Sequence, residues 1–167
     1  MSLDNIQLSP FLLQSLYTKT LVELDPLEAI PQEAVKQTIP FLGKNDKKIL
    51  LVVDEKDTAF LADNDLNLLL SILSACKLSM ADIALVNFNK NQDALYNKLI
   101  EEFSPTFVIL FGITPKLLSF PLNFPNYQLQ QYNHQTYLCA PALKILAVEK
   151  EEKKELWNSL QKHFFKS

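Results

Sequence analysis

Short apolar runs alternate with helix-patterned stretches from residue 48 onward. Three short runs have the length and the branched composition of strands; they are 49–53, 83–88 and 107–111. The first and third are continuous and apolar, which predicts burial on both faces, whereas the second contains Asn87. Between the first two, apolar residues recur at the spacing of one helix face: Leu66, Leu69, Leu70 and Leu73. Residues 91–103 carry a second stripe of this kind. Strands that alternate with helices in this way predict parallel pairing through helical crossovers.

The last third of the chain predicts a hairpin followed by a helix. Residues 127–132 and 136–139 are shorter strand candidates, and Asn133-His134 can form the turn between them. The apolar spacing of 141–165 predicts a final helix that bends near Val148. These elements complete a sheet of four to five strands.

Together the elements predict an α/β fold in three α/β/α layers around a central, mainly parallel sheet. We assign residues 46–167 to this single domain. Residues 1–45 predict an N-terminal arm with short helices, because Pro26, Pro31 and Pro40 interrupt any longer helix.

Two apolar segments are candidates for contact with a partner protein. In the arm, Ser9 and Pro10 can begin a short helix, and one face of it carries the following residues: Phe11, Leu12, Leu16 and Tyr17. That face either covers the sheet or enters a groove of a partner. The loop 120–126 contains two prolines and Phe124, whose ring we expect to be exposed as a second contact.

The composition excludes several kinds of chemistry. The chain has 167 residues, a net charge of −3 and no arginine, so its charge does not indicate DNA binding and no guanidinium can read a base or a phosphate. Two isolated glycines, Gly43 and Gly112, cannot form a glycine-rich phosphate loop. The cysteines and histidines lack the spacing of a metal site, so we predict no metal, no cofactor, and buried free thiols at Cys76 and Cys139.

The same reasoning bears on the compartment. No apolar run approaches the roughly 18 residues that cross a bilayer, and the first ten residues lack the pattern of a signal peptide. Free thiols are typical of a reducing environment. We therefore expect a cytoplasmic protein without a membrane segment.

Polar residues follow the ends of the predicted strands, where α/β proteins place their ligand crevices. Asp54 and Glu55 follow the first strand, Asn87 lies at the end of the second, and Ala140-Pro141 follow the last. Paired carboxylates could act in acid–base chemistry, and an asparagine could read a base. The alternative for each polar residue is a solvated loop, turn or cap role.

This succession resembles the uracil-DNA glycosylase fold over most of the chain. In that family a middle strand ends in an asparagine that reads the flipped base, and a late strand ends in His-Pro, whose histidine stabilises the leaving base. Asn87 matches the asparagine, whereas Ala140 stands in place of the histidine before Pro141. The family's glycine-containing first loop is replaced by 53–57, which has no glycine. The resemblance therefore implies a glycosylase-like scaffold whose catalytic motifs are lost, because alanine cannot donate a hydrogen bond.

Within this fold the chain is similar to the psi subunits of bacterial DNA polymerase III. The likeness rests on short segments in chain order: Ile6-Gln7-Leu8, 13–17, Ile39-Pro40, Ala140-Pro141-Ala142-Leu143, Leu156-Trp157 and Phe164-Phe165. Psi subunits lack glycosylase chemistry; their N-terminal arm docks onto the clamp-loader ATPase subunit, and their body holds the chi subunit, which contacts single-strand-binding protein. The resemblance implies a clamp-loader or chi-like protein partner for this chain.

The sequence leaves more than one function open. We expect a non-catalytic interaction adaptor of the replication machinery. The alternative is a glycosylase-type DNA repair enzyme or lesion-binding protein that uses Asn87 and the Asp54-Glu55 loop, and a small-molecule binder at the strand ends is a third reading. An open polar crevice lined by Asp54, Asn87 and the Ala140 region would favour the enzyme, whereas a crevice filled by side chains would favour the adaptor.

Overall fold

Six strands and four α-helices make up residues 39–165, the part of the chain that the computed structural model describes. The strands are β1 (Leu42–Gly43), β2 (Ile49–Val53), β3 (Ile83–Asn87), β4 (Phe107–Phe111), β5 (Gln130–Tyr132) and β6 (Gln135–Ala140). The α-helices are α1 (Asp63–Ala75), α2 (Tyr96–Phe103), α3 (Leu143–Val148) and α4 (Lys150–Phe164). Short 3₁₀ helices lie at Met80–Asp82, Phe88–Lys90 and Pro115–Leu118. The predicted α/β class is confirmed.

The strands form one mixed sheet in the order β1-β3-β2-β4-β6-β5. β2 pairs in parallel with both β3 and β4, and β4 pairs in parallel with β6. The two edge strands, β1 and β5, are antiparallel to their neighbours. The expected four to five strands are therefore corrected to six, because β1 has only two residues and carries no apolar run that would reveal it.

Side chains of β2 alternate between two hydrophobic clusters, one on each face of the sheet. Ile49, Leu51 and Val53 belong to the cluster that includes residues of α1, α3 and α4. Leu50 and Val52 belong to the cluster that includes residues of α2. The apolar run of β2 is unbroken because all five of its side chains are buried. Burying a side chain of this size stabilises the fold by about 1.5–3 kcal/mol relative to leaving it exposed.

The edge strand β1 depends on Gly43. This residue has a φ of 110°, and a Cβ built on it would lie 2.1 Å from the carbonyl oxygen of Ile83. Only glycine allows that conformation and that close approach together. Nearby, Ile39 is buried and its backbone N–H donates to Glu102 Oε1 at 2.8 Å. Residues 39–45 of the predicted arm thus pack on the sheet.

The rest of the predicted arm lies outside the described residues. The candidate docking face is part of that segment: Phe11, Leu12, Leu16 and Tyr17. Its role therefore stays a prediction from the sequence.

The last third of the domain follows the predicted order with one difference. Asn133 and His134 join β5 to β6 with φ values of 50° and 64°, as a type I′ turn requires, so the predicted hairpin turn is confirmed. The final helix is broken rather than bent. Glu149, directly after Val148, has an extended backbone (φ −92°, ψ 107°) and separates α3 from α4.

Candidate functional site

The carboxyl ends of the four central strands lie side by side at one edge of the sheet. Val53 at the end of β2 is in register with Asn87 of β3 and with Phe111 of β4. Phe111 is in turn in register with Ala140 of β6. Parallel pairing therefore brings the predicted strand-end residues to one place, where α/β proteins commonly bind ligands.

Asn87 is fully buried and its amide holds the loop that follows β2. Nδ2 donates to the carbonyl oxygens of Glu55 (2.8 Å), Thr58 (3.2 Å) and Ala59 (3.1 Å). Oδ1 accepts from the backbone N–H groups of Glu55 (3.0 Å) and Asn89 (3.1 Å). An amide has two donor hydrogens and two acceptor lone pairs, so contacts within the chain satisfy the whole group. Asn87 therefore has the cap and turn role, and no hydrogen-bonding position remains for a base.

Glu55 is a buried carboxylate with a cation beside it. The residue is 5% exposed, and Lys144 Nζ lies 3.0 Å from its Oε1. Burial acts to raise the pKa of Glu55, but hydrogen bonds from Lys144 and from the backbone N–H of Asp57 outweigh it, so the pKa lies below its ordinary value. The hydrogen bond to Glu55 also raises the pKa of Lys144. Glu55 is thus held as a paired carboxylate at neutral pH, which is not the state of a general acid.

A second buried carboxylate, Asp65 of α1, completes this charged group. Burial raises the pKa of Asp65; the positive charge of Lys144 acts in the opposite direction, and the negative charge of Glu55 adds to the rise. Sequence reasoning missed both Asp65 and Lys144. The available signal was the position of Asp65, which lies four residues before the buried Leu69 on the inward face of α1.

Little space remains between these groups. The cavity at this edge, which we call the strand-end crevice, has a volume of about 40 Å³, whereas small-molecule sites occupy about 300–1,000 Å³. Its lining consists of Val53, Asp54, Glu55, Leu61, Asp65, Phe111, Ala142, Leu143 and Lys144. A volume of this size holds about one water molecule. The crevice is therefore filled by the chain itself.

The other predicted strand-end residues differ in their surroundings. Asp54 is exposed, and its Oδ1 accepts from Asn89 Nδ2 at 2.9 Å. Ala140 is buried in the apolar cluster on the α1 face, and its carbonyl accepts from the N–H of Gly112 at 2.8 Å. Pro141 follows it, half-buried. The position that the resemblance assigns to a leaving-group histidine thus holds a methyl group within the core.

Phe124 is buried, which corrects the prediction of an exposed loop aromatic. It is 7% exposed, and its ring centroid lies 5.9 Å from that of Phe120 and 6.4 Å from that of Tyr137. Contacts of this kind attach the loop to the sheet. The side chain is therefore a core residue and is not presented to a partner.

The cysteines and His163 have structural surroundings. Cys76 and Cys139 are buried and free, as predicted, and burial raises their pKa values to about 11 and about 12. The ring of His163 stacks on Phe107 with centroids 3.9 Å apart. Within residues 39–165, no three His, Cys, Asp or Glu side chains are grouped as metal ligands could be. In the same span, no helix has both the length and the hydrophobicity to cross a bilayer.

No protein-family model matches the sequence, and no curated protein gives a significant match to it.

Proposed function

We propose that this chain is a non-catalytic adaptor in DNA replication, similar to the psi subunit of bacterial DNA polymerase III. In this proposal its scaffold is a three-layer, uracil-DNA glycosylase-like fold that has lost the catalytic motifs. It acts in the cytoplasm, and its partners are the clamp-loader ATPase subunit and a chi-like subunit. Direct contact with DNA is not part of the proposal, because the net charge is −3.

Two features of the sheet support the scaffold. The four central strands are parallel in the order β3-β2-β4-β6. Hydrophobic clusters lie on both faces of that sheet, each with helical residues. This is the arrangement that helical crossovers between parallel strands produce. The antiparallel edges β1 and β5 extend it without changing its centre.

The filled strand-end crevice is the observation that carries the functional proposal. An enzyme that excises a base needs a pocket for the extruded base and groups that read it. Here the strand-end crevice has a volume of about 40 Å³, and both ends of the Asn87 amide are bonded to the loop. With Ala140 buried in the core, no donor is supplied from β6 either. The strand ends thus lie together as in the glycosylase-like fold, but they leave no pocket for a base. This supports a scaffold whose function is contact with other proteins.

Co-purification tests the proposal directly. The full chain, with an affinity tag, is expressed at its natural level in its source cell, and bound proteins are identified by mass spectrometry after gentle cross-linking. We expect the clamp-loader ATPase subunit and a chi-like protein in stoichiometric amounts. Recovery of the chain with no replication protein would overturn the proposal.

A variant pair separates the two expected partners. In Leu12→Glu/Leu16→Glu the apolar stripe of the arm is disrupted, and the resemblance implies loss of the ATPase subunit with retention of the chi-like protein. The matched control, Lys98→Glu/Lys116→Glu, changes two charges in the described domain and should retain both. Equal loss of both partners in the arm variant would contradict the assigned division of roles.

An assay for uracil release tests the alternative function. A short single-stranded oligonucleotide that contains uracil is incubated with a molar excess of the chain, with a glycosylase as positive control. We expect no release, because the Asn87 amide is bonded within the chain and cannot read uracil. Release that is lost in Asn87→Ala but kept in Asn89→Ala would replace the adaptor proposal with the enzyme.

A further inference from the structure

An open apolar groove lies between α1 and α4, and two of its lining residues, Leu156 and Leu160, also belong to the hydrophobic core. Its volume is about 380 Å³, which is within the range of sites that bind ligands. The apolar part of its lining is Leu68, Ile72 and Ala75 of α1 with Leu156, Trp157 and Leu160 of α4. Ser71 and Lys153 complete it. The groove differs from the strand-end crevice both in size and in its apolar character.

The spacing of the lining residues matches a helical occupant. On α1 the lining positions are 68, 71, 72 and 75, and on α4 they are 153, 156, 157 and 160. Each set follows i, i+3, i+4 and i+7, so the groove extends along two turns of both helices, or roughly 10 Å. Two parallel walls of this kind accept the apolar stripe of a third helix, as in helix-in-groove recognition.

The charges beside the groove are positive. Lys153 lines it, and Lys150 and Lys154 lie on the same side of α4, because they precede Trp157 by seven and three residues. All three lysines are exposed. Among the described residues that line the groove, none is acidic. On the α1 side, the neutral polar residue Ser71 lines the groove, and its hydroxyl donates to the backbone carbonyl of Asn67 at 3.0 Å.

The carboxylates of α4 lie on its other side. Glu152 accepts a hydrogen bond from the hydroxyl of Tyr127. Glu155 lies beside the same tyrosine. Burial raises the pKa of Tyr127, and the two carboxylates raise it further. The helix therefore separates its charges, with lysines toward the groove and glutamates toward Tyr127.

We propose that the groove between α1 and α4 binds an amphipathic helix of a partner protein, with the partner's apolar stripe on the groove floor and its acidic residues against Lys150, Lys153 and Lys154. A second copy of this chain is disfavoured as the occupant. A symmetric contact in which α4 faces α4 would bring the two lysine rows together, and like charges across an interface oppose binding. The inference deepens the proposed function, since it assigns a surface to the adaptor.

Trp157 provides a direct reporter for binding. It is the only tryptophan in the chain and it lines the groove, so its emission responds to occupancy. The probe is a designed helical peptide of about 14 residues, four turns long, with leucines at i, i+3, i+4 and i+7 and glutamates along one flank. Its matched control has lysines in place of the glutamates. We expect the acidic peptide to shift the Trp157 emission to shorter wavelength and to bind more weakly as NaCl is added.

Charge-reversal variants locate the site. Lys150→Glu/Lys154→Glu should bind the acidic peptide at least about tenfold more weakly, because it reverses the complementarity. Lys98→Glu/Lys116→Glu makes the same change in net charge on α2 and the Pro115–Leu118 turn, whose residues pack on the other face of the sheet, and it should bind as the unaltered chain does. Binding of both peptides alike, binding of neither, or equal weakening by both double variants would overturn the inference.

The outcome is separable from that of the proposed function. If the acidic peptide does not bind the unaltered chain, and the tagged Lys150→Glu/Lys154→Glu variant still retains its clamp-loader or chi-like partners, the inference fails and the adaptor function stands. If the acidic peptide binds in the groove but no replication protein co-purifies with the chain, the adaptor assignment fails and the groove assignment stands.

Discussion

The strand-end crevice and the groove between α1 and α4 are opposite kinds of surface in one domain. The crevice contains charged residues that would suggest chemistry, yet its volume is about 40 Å³, and the amide of Asn87 at the same edge of the sheet is satisfied within the chain. The groove contains hardly any polar residues, yet it is open, with about 380 Å³ between two helices. Of these two regions, the one with polar residues is closed by contacts within the chain, and the one that is accessible is apolar.

This contrast has a general physical basis. A buried amide or carboxylate requires hydrogen-bond partners, because leaving it unsatisfied costs about 1–3 kcal/mol. Groups of the same chain can be those partners without any ligand. Once the loop after β2 supplies them to Asn87, the group is no longer available to a ligand. Hydrogen bonds cannot satisfy an exposed apolar groove in this way, since only contact with another apolar surface removes it from water.

The largest expected effect is that of Asn87→Ala on stability. The substitution removes five hydrogen bonds, four to the loop after β2 and one to the backbone N–H of Asn89, and we expect the free energy of unfolding to fall by about 3 kcal/mol. Equilibrium unfolding in urea, followed by circular dichroism, measures it.

Asn89→Ala is the matched control for this prediction. Asn89 lies two residues away, and its side chain donates to the exposed Asp54 carboxylate. We expect a loss below about 1 kcal/mol. Similar small losses in both variants would mean that the loop does not depend on Asn87, and the crevice would then be open to a ligand.

The fold could be predicted from the sequence to a large extent, for a clear reason. The strands β2 and β4 are unbroken apolar runs, and β3 is apolar up to Asn87, because both faces of these strands are covered, and such runs are the strongest local signal. β1 could not be predicted, since two residues carry no periodicity and the pairing depends on the close approach of Gly43 to Ile83.

The candidate site was less accessible to sequence reasoning. The residues at the strand ends could be assigned to one edge from parallel pairing alone, and for Asn87 the sequence left open whether it reads a base or has a cap or turn role. Its role depends on contacts with 55–59, which are 28 to 32 residues away in the chain. The pairing of Glu55 with Lys144 spans 89 residues. No local pattern encodes contacts of that range.

A smaller effect is expected from Glu55→Gln, and it depends on pH. The folded-state pKa of Glu55 lies below its ordinary value of 4.5, so its ionised form contributes stability above that value, and this is lost as the pH falls through the folded pKa. The variant should therefore be less stable than the unaltered chain at pH 7, and the difference should shrink below about pH 4. Urea unfolding at pH 7 and in acid measures it. A difference that does not change with pH would exclude the ion pair with Lys144 as its cause.

Asp65→Asn should have the opposite sign and a still smaller size. Burial raises the pKa of Asp65 above its ordinary value of 3.8, so the folded state favours the protonated form. Protonated Asp65 contributes its full stability at pH values below the ordinary pKa, and this contribution is lost as the pH rises through the raised folded-state pKa. We expect Asn to increase the free energy of unfolding at pH 7 and to have no effect in strong acid. A loss of stability at pH 7 would show instead that the charge at this position is needed by Lys144.

The smallest effect on stability is expected from Ala75→Trp, which places a large side chain in the groove. Ala75 is exposed and lines the open space, so the free energy of unfolding should change by less than about 0.5 kcal/mol. The same substitution at Ala94, which is 1% exposed in the other cluster, should cost about 2 kcal/mol or more because the core is already packed. Although stable, the Ala75→Trp variant should no longer bind the acidic helical peptide, since its indole occupies the space. If Ala75→Trp proves as destabilising as Ala94→Trp, the groove is closed in solution, and the contrast between an occupied crevice and an accessible groove is lost.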